Sequence, residues 1–179
     1  MLYGYNDDGS LAVTTDTEDH GTTYAYNALG QMTSTTHEGL TTTYAYHDGL
    51  LTTVTAPGGA TTVYEYDSMG RRSAVTDPLG NKTRYLYDSN WRLRNVIDAD
   101  DKWTTYIYDS GGRLVRFEDQ KGQATTYGYD ILGRLVWERN PLGEQVSYEY
   151  DDGSGCSSCG GGGGRLKAVT DAAGRRTEY

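Results

Sequence analysis

The segment Gly122-Gln-Ala-Thr-Thr-Tyr127-Gly-Tyr129-Asp130-Ile-Leu-Gly133-Arg134-Leu135-Val-Trp137-Glu-Arg-Asn-Pro141-Leu-Gly143 holds two strand signals, each closed by a turn signal. Thr-Thr-Tyr-x-Tyr is β-branched and aromatic, and at a period of two both tyrosines project from one face. Asp-x-x-Gly follows, in which Asp bonds nearby amides and Gly tolerates positive φ. The second strand runs from Arg134 through roughly Glu138. Asn140-Pro141-Leu142-Gly143 then supplies another turn, with Pro presetting φ at its second position. The unit is a β-hairpin joined to the next by a second tight turn.

The same unit recurs along the chain. Tyr-x-Tyr pairs fall at Tyr3/Tyr5, Tyr24/Tyr26, Tyr44/Tyr46, Tyr64/Tyr66, Tyr85/Tyr87, Tyr106/Tyr108, Tyr127/Tyr129 and Tyr148/Tyr150, and Tyr179 begins a ninth. Successive steps are 21, 20, 20, 21, 21, 21 and 21 residues, and the last step, of 31, holds a Gly/Ser/Cys-rich insertion at 152–164. All 17 tyrosines occupy repeat positions. Second strands are read at Leu93 to Ile97 and Leu114 to Phe117, and Asp77-Pro78-Leu79-Gly80 is a further linking turn. Strands every 10 or 11 residues, without crossover helices, give an antiparallel meander. About 16 strands at roughly 4.8 Å spacing make a ribbon on the order of 75 Å wide. Open sheets rarely exceed about 10 strands without curling. The expected architecture is therefore all-β: a coiled, spiral wall or partial shell, one array over 1–179 open at both ends.

Composition agrees with that reading. The 179 residues include 24 Gly, 24 Thr and 17 Tyr against one Phe, and 36% are hydrophobic, so a conventional aliphatic core is undersupplied. Tyr suits a thin wall because its ring packs while its hydroxyl reaches water. Leu93, Leu114, Leu135 and Leu166 are expected to fill the gaps between tyrosine pairs. A net charge of -9 argues against nucleic acid, whose affinity rests on Lys and Arg. No run of 18 apolar residues offers a membrane span, and Met1-Leu2-Tyr3-Gly4-Tyr5 lacks a signal-peptide pattern, so any secretion signal is expected outside this chain.

The repeat resembles the Rhs or YD-repeat family, whose unit looks like Gly-x(4)-Tyr-x-Tyr-Asp-x-x-Gly-Arg-Leu. Matching positions are Tyr64, Tyr66, Asp67, Gly70 and Arg71; Tyr85, Tyr87, Asp88 and Arg92; Tyr106, Tyr108, Asp109, Gly112 and Arg113; and Tyr127, Tyr129, Asp130, Gly133 and Arg134. Asn6, Asn27 and His47 replace the Asp, Gln31 replaces Arg, Trp91 stands where Gly is expected, and the turn after Tyr46 is one residue short. The family includes bacterial polymorphic toxins, shell subunits of insecticidal toxin complexes and teneurins. The resemblance implies a hollow β-shell, in toxins enclosing a cytotoxic domain, in a secreted or surface-displayed protein. Asp77-Pro78 reads as a repeat turn rather than the self-cleaving motif of family toxins.

Chemistry beyond the repeat is sparse. Cys156-x-x-Cys159 in the insertion is read first as a disulfide, with metal binding or redox chemistry as alternatives; it lacks the further ligands of a zinc site. Asp98-Ala-Asp100-Asp101 lacks the ligand pattern of a calcium loop and reads as a solvated turn. His20, His37 and His47 have no nucleophile arranged around them. Asn81-Lys82-Thr83 is a glycosylation sequon. Arg71, Arg92, Arg113, Arg134 and Arg165 are expected to pair with Asp67, Asp88, Asp109 and Asp130. The expected function is a non-catalytic wall module without cofactor, whose partners are neighbouring repeats and an enclosed toxin domain. Alternatives are glycan or adhesion recognition through tyrosine grooves, and a fibre joined through open sheet edges. Neither end reads as a cap.

Overall fold

A computed structural model describes residues 1–18, 20–151 and 164–179. The cysteine pair lies outside the described residues. Strands β1 (Leu2–Tyr5) and β2 (Leu11–Thr15) form the first hairpin, β3 (Gly21–Tyr26) and β4 (Met32–His37) the second, β5 (Leu40–His47) and β6 (Leu50–Thr55) the third, and β7 (Thr61–Tyr66) and β8 (Arg72–Thr76) the fourth. They are followed by β9 (Lys82–Tyr87), β10 (Leu93–Ile97), β11 (Trp103–Tyr108), β12 (Leu114–Glu118), β13 (Ala124–Tyr129), β14 (Leu135–Arg139), β15 (Gln145–Tyr150), β16 (Leu166–Thr170) and β17 (Arg176–Glu178). All belong to one antiparallel 17-stranded sheet, and no helix occurs among the described residues. By internal contacts the chain divides into two units, 1–85 with 98–100 and 86–97 with 101–179. Each is a run of hairpins on the same plan.

The two turns of the repeat, read from sequence as different, share one geometry. In both, the first residue's N–H donates to the carbonyl four residues on and its own carbonyl accepts from the residue three on, as at Asp130 to Arg134 (3.0 and 3.0 Å) and Asn140 to Glu144 (2.9 and 3.0 Å). This is the three-residue hairpin loop: a type I turn, then a left-handed residue in a bulge. Gly133 at φ 82° and Gly143 at φ 85° occupy the left-handed position. The Asp or Asn side chain completes the loop, its Oδ1 accepting the amides two and four residues later: Leu132 and Arg134 on Asp130, Leu142 and Glu144 on Asn140.

Departures from the repeat now have physical reasons. The turn after Tyr46 is short because β5 continues through His47, leaving a two-residue loop in which Asp48 (φ 49°) and Gly49 (φ 80°) both take positive φ. Glu38 and Gly39 repeat it between β4 and β5. Trp91 takes the glycine conformation itself, at φ 68°. Trp91→Gly relieves roughly 1–2 kcal/mol of left-handed strain, set against about 0.4–1 kcal/mol of added unfolded-chain entropy and the loss of the interaction the Trp91 side chain makes, so its chemical-denaturation midpoint is expected to stay close to the parent's. A large shift in either direction would contradict this.

In seven Tyr-x-Tyr hairpins the register slips at the second tyrosine. Tyr127 faces Glu138, Gly128 faces Trp137, and Tyr129 faces Leu135, so β14 carries one extra residue, Val136. The slip recurs at Tyr5, Tyr26, Tyr46, Tyr66, Tyr108 and Tyr150. This bulge moves Glu138 onto the tyrosine face and Trp137 onto the other, where strict alternation would do the opposite. Only Ala74, Asn95, Ile97 and Ala168 are buried among the described residues. A single layer of half-buried strands replaces a core.

Candidate functional site

Of the five arginines expected to pair with turn carboxylates, Arg71, Arg92, Arg113 and Arg134 do so through their side chains, and Arg165 through its amide alone. Arg71, Arg92, Arg113 and Arg134 each donate Nε to the Oδ2 of the Asp four residues earlier, at 2.7, 2.7, 2.7 and 2.6 Å. Asn variants of the turn reverse the polarity: Asn27 Nδ2 donates to Gln31 Oε1 at 2.9 Å, Asn6 Nδ2 to Ser10 Oγ at 2.9 Å, and Asn140 Nδ2 to Glu144 Oε2 at 2.6 Å. Residues one and five of the loop thus vary as a donor–acceptor pair. At the last of these turns Asp151 accepts the Arg165 amide at 3.1 Å.

The arginines also reach forward. Arg92 Nη1 donates to the Asp109 carbonyl at 3.1 Å, Arg113 to Asp130 at 3.0 Å, and Arg134 to Asp151 at 3.4 Å. The same guanidinium groups lie over the second tyrosine of the next hairpin, Arg92 on Tyr108 at 4.7 Å, Arg113 on Tyr129 at 5.1 Å and Arg134 on Tyr150 at 4.6 Å. Those tyrosines reach back in turn: Tyr108, Tyr129 and Tyr150 donate their hydroxyls to the carbonyls of Leu93, Leu114 and Leu135, at 3.0, 2.8 and 2.9 Å. Tyr46 and Tyr66 do the same to Met32 and Leu51, at 2.9 and 2.8 Å. One hairpin's Arg and Leu and the next hairpin's Tyr and Asp therefore form a clasp.

This narrows the expectation that tyrosine hydroxyls serve to reach water. Tyr46, Tyr66, Tyr108, Tyr129 and Tyr150 spend them on main-chain carbonyls, and Tyr148, a first tyrosine, donates to Glu138 Oε1 at 2.9 Å. Burial pushes the Tyr108 and Tyr129 phenols above their ordinary value, and burial with the Glu138 carboxylate pushes Tyr148 up to about 12. At Tyr108, Tyr129 and Tyr150 the ring is covered by guanidinium and the hydroxyl already bonded, which gives no support there to tyrosine grooves that stack on sugars. The aromatic contact Tyr106–Phe117, with centroids 5.4 Å apart, is likewise internal to the wall.

The turn carboxylates are held below the usual range. For Asp88, Asp109 and Asp171 the largest cause is the backbone amide of the Arg four residues on. For Asp67 and Asp130 partial desolvation is the largest influence and opposes the shift, but the Arg amide and guanidinium outweigh it. A depressed folded-state pKa contributes stability above the unfolded value, about 3.9 for Asp, and loses it as pH falls through the folded value. The denaturant midpoint is expected to hold steady from pH 6 to about 4 and to fall below that. A midpoint unchanged down to pH 2 would show that the turns carry no such linkage.

Other candidates stay apart. His20 lies between Asp16 (3.2 Å) and Glu38 (3.5 Å), and His37 Nδ1 meets the Thr22 hydroxyl at 2.9 Å in an exposed cross-strand contact. Among the described residues no His, Cys, Asp and Glu grouping could hold a metal, including the Asp98–Asp101 turn. Asn81 of the sequon donates to Asp77 Oδ2 at 2.8 Å. Among the described residues no helix is long and apolar enough to cross a membrane.

A clasp repeated from hairpin to hairpin is a family trait to look for in known proteins, and a family model described as teneurin YD-shell matches residues 1–155. The chain belongs to the teneurin YD-shell family. Among solved structures, this YD-shell chain is similar to TcdB2-TccC3 with Cdc42 (TM-score 0.70) and to TcdB2-TccC3 without its hypervariable C-terminal region (TM-score 0.71), each at 18% identity over 98% of this chain and 11% of the other. A Photorhabdus luminescens Tc holotoxin pore structure matches with a TM-score of 0.53 and 18% identity, over 94% of this chain and 9% of the other. At that identity the likeness concerns the fold, and the chain spans about a tenth of the length of these relatives. No curated protein sequence matches it. The YD-shell chain is a structural wall module.

Proposed function

We propose that this chain is a non-catalytic stretch of wall in a larger YD-shell protein, one continuous array that helps to enclose a toxin domain in a secreted or surface-displayed assembly. The observation that carries the reading is the clasp: the guanidinium groups and phenols that distinguish the repeat reach the neighbouring hairpin while the turn carboxylates hold each guanidinium in place, which is what a wall built by repetition needs. Residues Tyr64 to Arg71, Tyr85 to Arg92, Tyr106 to Arg113 and Tyr127 to Arg134 are the functional residues in this structural sense. The Tc toxin names of the similar structures support the enclosure. Electron microscopy of the intact protein that contains these repeats is the test. A hollow particle with internal density lost on deleting the domain it encloses is the expected result. A compact filled particle would overturn the proposal.

A further inference from the structure

Five acidic residues lie within the described strands: Glu65, Glu118, Glu138, Glu149 and Glu178. Four face away from the tyrosines and pair with a cation, Glu65 with Lys82 at 2.6 Å, Glu118 with Arg116 at 2.8 Å, Glu178 with Arg176 at 3.2 Å, and Glu149 also with Arg176. Glu138 is the exception on both counts. It sits on the tyrosine face opposite Tyr127 and Val146, and its carboxylate meets the Tyr148 hydroxyl but no cation. The position facing the first tyrosine is Thr14, Thr35, Val54, Val75, Phe117 and Val169 in six other hairpins, so a charge there sets this one apart from them.

A carboxylate half-withdrawn from water among neutral aromatic side chains attracts a cation more strongly than one in bulk water. Tyrosine rings beside it add attraction through their negative faces. The protein already shows what completes such a set. In the clasp, one arginine engages a carboxylate and a tyrosine ring together, as Arg113 does with Asp109 Oδ2 (2.7 Å) and Tyr129 (5.1 Å). At Glu138 the carboxylate and the flanking Tyr127 and Tyr148 are in place, and the guanidinium is the component that a partner would bring.

We propose that Glu138, with Tyr127 and Tyr148, is a docking point on the tyrosine face for an arginine side chain of an extended polypeptide. The inference rests on the wall-segment reading for its biological setting, because it gives the wall a contact with the polypeptide it encloses, and it makes the tyrosine face the one turned to that polypeptide. Arginine fits better than lysine, since its planar fork can bond the carboxylate while its flat face lies on a ring.

The test is a titration of the isotope-labelled 179-residue chain with acetyl-Gly-Arg-Gly-amide at low ionic strength, followed by NMR. Saturable shifts centred on Tyr127, Glu138, Val146 and Tyr148 are expected, with weaker binding of acetyl-Gly-Lys-Gly-amide and none of acetyl-Gly-Glu-Gly-amide. Glu138→Gln, which preserves shape and an acceptor for Tyr148, should weaken binding at least tenfold. Glu138→Val, the residue found in three other hairpins, should do the same and provides a second fold-compatible variant. Equal binding by Glu138→Gln, or shifts spread over the opposite charged face, would overturn the proposal. Such a result leaves the enclosure reading standing, because a hollow particle is observed independently of any peptide.

Discussion

Gly128→Ala is expected to destabilise the protein by about 1–3 kcal/mol, the range for forcing atoms into occupied space. A Cβ at Gly128 would lie 2.1 Å from Trp137 Nε1 and 2.2 Å from Cε2, in the body of a ring rather than at the end of a flexible chain. The indole lies flat on the Gly128 backbone, so β14 or the ring must shift. Four other hairpins show a comparable complementarity between the residue within Tyr-x-Tyr and its cross-strand partner, while Ile107 facing Arg116 departs from it. Gly4 faces Val13, whose Cγ1 stands 2.7 Å from a would-be Cβ, and Ala45 faces Thr53, whereas Glu65 faces Ala74 and Glu149 faces Ala168. Where the first residue is a long acid, its partner is alanine, buried to 2% at Ala74 and 0% at Ala168. Lys82 reaches Glu65 and Arg176 reaches Glu149 across those alanines. Each pair shares one allotment of space. Gly128→Ala with Trp137→Ala should therefore cost less than the sum of the single changes, by about 0.5–3 kcal/mol, as expected for residues in contact. Gly21→Ala, where a Cβ meets nothing within 4 Å, is the control and should be close to neutral. Urea denaturation of the four variants reads the cycle, and strict additivity at 128 and 137 would refute the shared space.

How far the sequence reveals these features depends on how local they are. Repeat length, hairpin order and turn positions are legible because Tyr-x-Tyr and Asp-x-x-Gly are local signals repeated in register. The strand limits expected at Leu93 and Leu114 match β10 and β12, and the 17 strands exceed the expected number only by β17. Face assignment on the second strands is not legible, because period-two counting has no place for the extra residue at Val136. That miscount groups Trp137 with Leu135 and conceals both the Gly128 contact and the unusual place of Glu138. The Asn-for-Asp turns look degenerate in sequence because they lack the fixed charges of an Asp–Arg pair, while Asn27 with Gln31 satisfies the same geometry through neutral groups. The pairing of Arg71, Arg92, Arg113 and Arg134 within their own turns is legible, that of Arg165 is not realised by its side chain, and the reach to the next hairpin is not legible. A signal for their forward reach existed, since Arg92, Arg113 and Arg134 each stand 16 residues before a tyrosine in an unvarying register. Its meaning needs the lateral neighbour, and that is tertiary information.

Arg113→Ala is expected to lower stability by about 2 kcal/mol, because one side chain serves two hairpins. Within its own turn it bonds Asp109 Oδ2 at 2.7 Å, and towards the next it donates to the Asp130 carbonyl at 3.0 Å and covers the Tyr129 ring at 5.1 Å. Charge-assisted bonds contribute about 1.5–3 kcal/mol each when well formed, and an exposed cation–π contact about 0.5–1 kcal/mol. Partial exposure of the guanidinium, 37% for Arg113, pulls the total towards the low end. Arg113→Lys should recover less than half of the loss, since an ammonium cannot bond the carboxylate and the carbonyl while lying flat on the ring. Tyr129→Phe tests the returning half of the clasp by leaving the Leu114 carbonyl without its 2.8 Å donor, at a cost of about 1 kcal/mol. Both changes act on one junction between hairpins, so hydrogen exchange should quicken first in β11 to β14, while β2 to β6 stay protected. Uniform loss of protection along the chain would mean that the clasp is surface decoration, with the strand ladders alone setting the stability of the wall.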